Sequence, residues 1–329
     1  MKKIASTLCI LTATIFLMVP AVNAEESTTD DSDRTLKVLN INSNLSIEKK
    51  ADGRVYPVIS SKDSALTSVE QEVILKEMGY TLDEIETMNP SVKQDMAISG
   101  GRKVEVETNI VQYFNSSDGK RYLVTDENRE EIEALRQQEA ERLSKELNKK
   151  IEVAPLSNMG STRDGIFSGR GHVSYQGKSP NATEFQFRYT DTFDWSGYPK
   201  ITYTDTFAHA WQSHSTSVSS EGRLTSVING SNYYNNLTIN PESIYGSSTK
   251  ISLSNKLFET MSGYIANEVR IPISYKGTTG KFIARYAHPW TVVQPSIAIG
   301  PASISYSGYV GDEWFWENTF TITSVPSDM

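Results

Sequence analysis

Apolar positions between residues 67 and 97 recur with helical spacing. Thr67 and Glu70 have the separation of a capping box, and Gly79 follows the apolar run as a left-handed stop. A second Thr-X-X-Glu sequence starts at Thr81, and Asn89 with the proline after it breaks the second run before a third apolar turn. The pattern predicts three short helices in one compact unit.

After the glycine pair at 100–101 the spacing changes to every second residue, which is typical of strands. The Asp118-Gly119 dipeptide fits a tight hairpin turn between two of these strands. Charged residues then dominate from Asp126 to Lys150, with a narrow apolar stripe, and predict one helix of about 24 residues. This helix could bind a partner, or it could lie solvated on its own chain or link two domains.

The second half of the chain alternates apolar and polar residues in short runs separated by glycine turns. Nine runs have this pattern: 184–193, 201–207, 237–239, 250–253, 269–275, 281–286, 296–299, 303–309 and 314–322. Without long helical runs between them, they predict an all-β domain, either a sandwich or a partly closed barrel. The fold class expected for the whole chain is α+β, with a small helical and mixed N-terminal region before that β-domain.

The N-terminus has the features of an export signal. Lys2 and Lys3 precede an apolar run from Ile10 to Val19, and small residues lie at the −3 and −1 positions before a cleavage after Ala24. The run is shorter than the roughly 20 residues that span a bilayer. Residues 1–24 are therefore predicted to be a signal peptide and the protein to be secreted.

Composition divides the rest of the 329-residue chain into two parts. Residues 25–160 contain 27 acidic and 18 basic residues, whereas residues 161–329 contain 13 and 12; aromatic residues number five in the first part and 26 in the second. We expect an acidic, largely disordered segment over 25–65, a helical and mixed region over 66–155 that ends in the charged helix, and the all-β domain over 161–329. The net charge of −8 argues against a nucleic-acid binder that relies on overall positive charge.

Cysteine usage excludes several kinds of chemistry. The single cysteine, Cys9, lies inside the apolar signal run. A mature chain without a thiol cannot use a cysteine nucleophile, a thiolate metal site or a disulfide framework.

A repeated pentapeptide, Tyr-Thr-Asp-Thr-Phe, occurs at 189–193 and 203–207 on either side of a turn. Alternation places Asp191 on the same face as the aromatic residues of its strand, with the threonines on the other face. If the two copies form a hairpin with Asp191 opposite Asp205, the carboxylates would lie roughly 5 Å apart and could share Ca²⁺ or act as a glycosidase pair. A register shifted by two residues would place a tyrosine opposite each carboxylate instead.

Histidine and aromatic residues supply the remaining candidates. His209 and His214 are five residues apart, which is not the His-Glu-X-X-His zinc spacing. Trp195 and Tyr198 fall in a predicted turn and Trp211 follows a strand, where exposed rings would stack on sugars. The ligand-binding candidates are Asp191, Trp195, Tyr198, Asp205, His209 and Trp211. No residue is assigned to catalysis, to a cofactor or to a metal, with Ca²⁺ left open.

These features favour a secreted, non-enzymatic β-domain protein that binds an extracellular glycan or protein, with the acidic N-terminal region as a spacer or prosegment. A second hypothesis is a β-pore-forming or membrane-active protein, because residues 214–254 are rich in Ser, Thr and Asn with sparse alternating apolar positions. A third is a hydrolase that residues 25–160 keep inactive. The sequence does not predict an oligomeric state.

Overall fold

The computed structural model describes residues 31–60, 65–153, 156, 163–164, 167–253 and 258–323. The helices in these residues are α1 (Ser68–Met78), α2 (Leu82–Thr87), α3 (Pro90–Ser99) and α4 (Arg129–Glu146). The strands are β1 (Thr35–Asn40), β2 (Leu45–Lys50), β3 (Val55–Ile59), β4 (Arg102–Val104), β5 (Glu107–Asn115), β6 (Arg121–Leu123), β7 (Arg163–Asp164), β8 (Phe167–Lys178), β9 (Glu184–Trp195), β10 (Thr204–Trp211), β11 (Thr216–Ile228), β12 (Ser231–Asn236), β13 (Asn240–Ser243), β14 (Gly246–Ser252), β15 (Thr260–Pro272), β16 (Thr279–Pro289), β17 (Ser296–Gly300), β18 (Ser303–Ser307) and β19 (Gly311–Thr321). None of these helices is long and apolar enough to cross a membrane.

The three short helices begin and end where the sequence predicts. The Thr67 side chain accepts a hydrogen bond from the Glu70 amide, and the Glu70 carboxylate accepts one from the Thr67 amide at 2.7 Å. Thr81 forms the same reciprocal cap at the start of α2. Gly79 ends α1 with a φ of 106°, a left-handed conformation that glycine adopts without steric cost. The capping prediction is confirmed.

Residues 35–59 form a three-stranded sheet in the order β1-β2-β3, so the expectation of disorder over 25–65 is wrong for this stretch. Leu45, Ile47 and Val55 are buried in one cluster with the apolar faces of α1 and α3. That burial offsets the chain entropy that the acidic composition would otherwise leave uncompensated. Residues 25–30 and 61–64, like the predicted signal peptide, lie outside the described residues.

Two large, open sheets form a sandwich, which confirms one of the two predicted β architectures. Sheet I has the order β13-β14-β10-β16-β19-β5-β6, and sheet II has the order β12-β11-β15-β9-β8-β4, with β7 paired to β8. Between them lie two aromatic-rich clusters to which both sheets contribute, including stacked Tyr189 and Phe282 rings 4.7 Å apart. A hairpin of β17 and β18 covers the outer face of sheet I.

The N-terminal region supplies strands to both large sheets. β4 pairs with β8 in sheet II, and β5 pairs with β19 in sheet I, where Phe114 lies opposite Asp312. The boundary predicted between residues 155 and 161 therefore does not separate the β-sandwich from the preceding region. Hydrogen-bond pairing across that boundary makes residues 102–123 part of the sandwich.

The charged helix α4 lies on its own chain and is shorter than predicted, at 18 residues. Its buried stripe contains Ile132, Ala140 and Leu143, which pack against Phe114. A cation also lies in this stripe: Arg136 is 3% exposed and binds the carboxylate of Asp312 in β19 with two hydrogen bonds, of 3.0 and 2.9 Å.

Residues 214–254, the basis of the membrane-active hypothesis, do not form one amphipathic hairpin. β11 and β12 pair at the edge of sheet II, whereas β13 and β14 belong to sheet I. Glu221 and Gly222 lie inside β11 and not in a turn. Gly222 is needed there since a side chain would come within 2.7 Å of the Tyr264 carbonyl oxygen.

Candidate functional site

The two copies of the repeated pentapeptide lie in opposite sheets. β9, with Asp191, pairs with β8 and β15 in sheet II, whereas β10, with Asp205, pairs with β14 and β16 in sheet I. The predicted hairpin between the two copies is therefore wrong, and so are both registers considered for it. The connection between β9 and β10 crosses the sandwich instead, so each aspartate points inward from its own sheet.

Asp191 is fully buried and accepts hydrogen bonds on both carboxylate oxygens. His209 Nδ1 is 2.6 Å from Oδ2, and Trp316 Nε1 and Asn318 Nδ2 are 2.9 and 2.8 Å from Oδ1. His209, Trp316 and Asn318 all come from sheet I, so this network bonds the two sheets together across the core. Partners on both oxygens satisfy the carboxylate without a metal.

Asp205 forms a second enclosed network. The Tyr286 hydroxyl donates to Oδ2 at 2.6 Å, and His288 Nδ1 is 2.8 Å from Oδ1. Tyr286 also accepts a hydrogen bond of 3.0 Å from the Trp195 indole N–H. Burial pushes the pKa of His288 down, but the charge and hydrogen bond of Asp205 outweigh burial and raise it above its ordinary value. A tyrosine does bond to the Asp205 carboxylate, but it is Tyr286 of β16 and not a tyrosine of the repeated pentapeptide.

Most of the ring candidates are core residues. Trp195 is 3% exposed and Trp211 is 2% exposed, so the expectation of exposed rings at these positions is wrong. Tyr198 is half-buried, with its ring 4.9 Å from that of Phe258. His209 is fully buried, and its side chain contacts Asp191 in the network described above. Whether these residues contact a ligand stays a prediction.

No group of three or more His, Cys, Asp or Glu side chains in the described part of the chain is arranged to hold a metal ion. The carboxylate pair that would have shared Ca²⁺ depended on the hairpin register. Since Asp191 and Asp205 have separate sets of partners, the structure does not bring them together as a pair of ligands.

The outer face of sheet II carries a different candidate, which we call the groove. It is a cavity of about 450 Å³ between the sheet and the junction of α2 and α3. One wall is formed by residues 87–90, and the others come from β8, β9, β11, β12 and β15, with Trp195 at its border. Its volume is in the range of small-ligand sites. Apolar side chains such as Met88, Val92 and Val227 form part of the lining. Nine lining residues carry hydroxyl or amide side chains: Thr87, Asn89, Ser168, Thr192, Ser196, Thr225, Asn232, Thr260 and Ser262.

An ion-pair cluster holds α3 against this face of the sheet. Arg188 in β9 is 4% exposed and binds Asp95 of α3 at 2.7 Å, and it also binds Glu221 of β11. Tyr264 and Ala266 of β15 pack in the same cluster as the helices. The helical unit is thus fixed on the sheet, and the groove is a preformed space between them.

Two of the residues that line the groove each have a buried polar atom with no hydrogen-bond partner among the described residues. These are Asn89 Nδ2 and Thr225 Oγ1, in residues that are 9% and 2% exposed. Asn89 Oδ1 is used, because it caps α3 by accepting from the Val92 amide at 2.9 Å. An unmet buried donor costs roughly 1–3 kcal/mol, so a ligand that bonds to these groups would recover that free energy.

Arg170 and His172 of β8 border the groove and also a second cavity of about 270 Å³, which Tyr80, Glu84 and Lys103 line from the other side. The Tyr80 hydroxyl, in a residue 4% exposed, has no hydrogen-bond partner among the described residues. Burial, assisted by the charge of Arg170, lowers the pKa of His172 to about 3. The imidazole is therefore neutral at physiological pH.

Sequence reasoning missed the groove for two reasons. Its walls come from segments far apart in the chain, and β8 was not predicted as a strand. One signal was present: alternation placed the threonines of 189–193 on the face opposite Asp191, and Thr192 does line the groove.

No protein-family model and no curated protein matches the chain. Solved structures do match, at low similarity. The collagen-binding subdomain of the Enterococcus faecalis surface protein ACE aligns at 10% identity over 37% of this chain and 84% of its own, with a TM-score of 0.27. The collagen-binding domain of a Staphylococcus aureus adhesin aligns at 10% identity over 48% and 98%, also with a TM-score of 0.27.

The Clostridium perfringens NetB toxin in its membrane-inserted form aligns at 8% identity over 51% of this chain and 95% of its own, with a TM-score of 0.25. Adhesin domains and a toxin thus score almost equally. TM-scores this low carry no argument about fold or function, so the groove has to be interpreted from its own residues.

Proposed function

We propose that this protein is a secreted, non-enzymatic β-sandwich protein that binds an extracellular glycan in the groove. The observation that carries the proposal is that two residues lining the groove have buried, unpartnered polar atoms, Asn89 Nδ2 and Thr225 Oγ1, among nine lining residues with hydroxyl or amide side chains. Each sugar hydroxyl can donate and accept hydrogen bonds, which suits both an amide donor and a threonine hydroxyl. An apolar ligand would leave both groups unbonded.

The histidine–aspartate pairs give no support for catalysis. Asp191 and His209 are both fully buried, and Asp205 is fully buried against His288, which is 4% exposed. A general base has to come within hydrogen-bond reach of a substrate, and side chains enclosed between the two sheets do not meet that condition. The Asp191–His209 pair bonds one sheet to the other, whereas Asp205 and His288 join two neighbouring strands of sheet I.

The strand pairing also argues against a removable prosegment. β5 lies between β19 and β6 in sheet I, so cleavage that released residues 25–160 would take three strands out of the two sheets. We therefore propose that the N-terminal region is retained as part of the binding unit, of which residues 87–90 form a wall.

Binding is tested on the chain that starts at Glu25, with a glycan array and with pull-down on purified cell wall. Thr225→Val removes the hydroxyl with little change in shape, and Asn89→Asp keeps the capping oxygen while removing the amide donor. We expect each variant to bind about three- to tenfold more weakly, the equivalent of one lost hydrogen bond. Thr216→Val is the matched control, because Thr216 is exposed on the same strand and does not line the groove.

Absence of binding to every glycan and every cell surface would refute the proposal, as would equal binding by all three variants. Dye release from liposomes by the wild-type chain would favour the membrane-active alternative. Export is tested separately by the mass of the protein recovered from culture medium, which we expect to correspond to a chain beginning at Glu25.

A further inference from the structure

Arg170 differs from Arg54, Arg136 and Arg188 because no carboxylate among the described residues binds it. Its side chain is half-buried, and the one side-chain partner it has among the described residues is the neutral Thr87 hydroxyl, to which Nη1 donates at 3.0 Å. Arg54, Arg136 and Arg188 are each bonded to at least one aspartate. A guanidinium has five N–H donors, so most of those on Arg170 are available to a ligand.

The position of Arg170 matters as much as its charge. It lines both the groove and the second cavity, and it therefore lies where the two meet along β8. Lys103, in the second cavity, is already bonded to Glu84 at 2.7 Å and to Glu105 at 2.8 Å. His172 beside Arg170 is neutral because burial lowers its pKa to about 3. The positive charge open to a ligand in this region is thus concentrated on Arg170.

We infer that the glycan bound in the groove carries an isolated oxyanion, a carboxylate or a sulfate ester, and that Arg170 binds it. This inference rests on the proposed function, since it specifies the class of glycan. A guanidinium binds carboxylate and sulfate oxygens through paired N–H donors, and such charge-assisted bonds are about twice as strong as neutral ones.

The negative charge of the rest of the protein limits how many anionic groups a bound ligand can carry. The chain has a net charge of −8, and Asp194 also borders the groove, so a densely charged polyanion would be repelled. A glycan with one acidic sugar among neutral ones would meet Arg170 and the nine lining residues that carry hydroxyl or amide side chains. Sialylated or uronic-acid oligosaccharides fit this description, whereas heparin does not.

The test uses the chain from Glu25 and a set of matched oligosaccharides: a neutral lactosamine, its sialylated form, its sulfated form and a form that carries one uronic acid. We expect at least about tenfold tighter binding of an acidic member than of its neutral counterpart. Arg170→Gln should remove that preference, so that the acidic members bind no more tightly than their neutral counterpart. Arg170→Lys, which keeps the charge but not the paired donors, should retain part of it.

Arg142→Gln is the matched control, because it changes the net charge equally at an exposed position on α4. It should keep the full preference for acidic members. Equal binding of neutral and acidic glycans, or a preference that survives Arg170→Gln, would overturn the inference and leave the proposed function standing. Binding of acidic peptides in place of glycans, or no glycan binding at all, would overturn both. The sialylated, uronic-acid and sulfated arms identify which oxyanion is recognised.

Discussion

The buried ion pair between α4 and β19 gives a strong stability prediction. Replacing Arg136 with methionine keeps most of the aliphatic length but leaves Asp312 buried, with the Trp290 indole N–H at 3.2 Å as its remaining described side-chain partner. Removing one member of a buried pair costs about 3–5 kcal/mol because the other charge is left uncompensated. For a chain of this size that corresponds to a fall in Tm on the order of 10 °C.

The measurement is urea unfolding of the chain from Glu25, followed by circular dichroism and by tryptophan fluorescence. Arg142→Met is the control, since Arg142 is exposed on the same helix and forms only surface pairs, for which we expect a change below about 0.5 kcal/mol. The double variant Arg136→Met with Asp312→Asn should recover part of the loss, because no charge then stays buried. A loss below about 1 kcal/mol for Arg136→Met alone would refute the reasoning.

Three further predictions concern other parts of the molecule. His172 has a pKa of about 3 in the folded chain, against 6.5 in the unfolded chain. Between these pH values only the unfolded chain takes up the proton. The free energy of unfolding should therefore fall by up to about 4–5 kcal/mol as the pH drops from 6.5 to 3. His172→Leu should flatten that part of the pH profile, and an unchanged slope would contradict the assignment. Asp191→Asn should lower the free energy of unfolding by about 1–3 kcal/mol with and without Ca²⁺ alike, measured by thermal melts; a Ca²⁺-dependent Tm in the wild-type chain would show instead that the carboxylate binds the ion. A chain that begins at Phe167 lacks β4–β7 and should be insoluble or unfolded when expressed, whereas a soluble, cooperatively melting fragment would restore the prosegment hypothesis.

The sequence predicted best those features that depend on residues close together in the chain. The capping boxes at Thr67 and Thr81 each depend on two residues three positions apart, and they fix where α1 and α2 begin. Alternation correctly predicted that Asp191 faces the aromatic core. It could not predict which sheet each strand joins, because strands on opposite sides of a sandwich have the same period of two.

The groove was beyond sequence reasoning for a related reason. The sequence predicts that Asn89 caps a helix, and the structure confirms it. That Asn89 and Thr225 line the same groove depends on how distant parts of the chain pack together. Arg170 gave no signal of its own, since a single arginine beside glycines has no recognisable spacing. That Arg170 has no carboxylate partner among the described residues can be seen only in the folded structure.

The place of β19 in sheet I has a consequence for how the molecule is assembled. β5 is synthesised early, yet its neighbour on one side is the last described strand, so the pairing of Phe114 with Asp312 joins residues almost two hundred positions apart. Such distant pairings slow folding. Until β19 emerges, one edge of β5 presents unpaired amides and carbonyls to other chains. Residues 107–115 are thus the segment that a chaperone would have the most reason to shield.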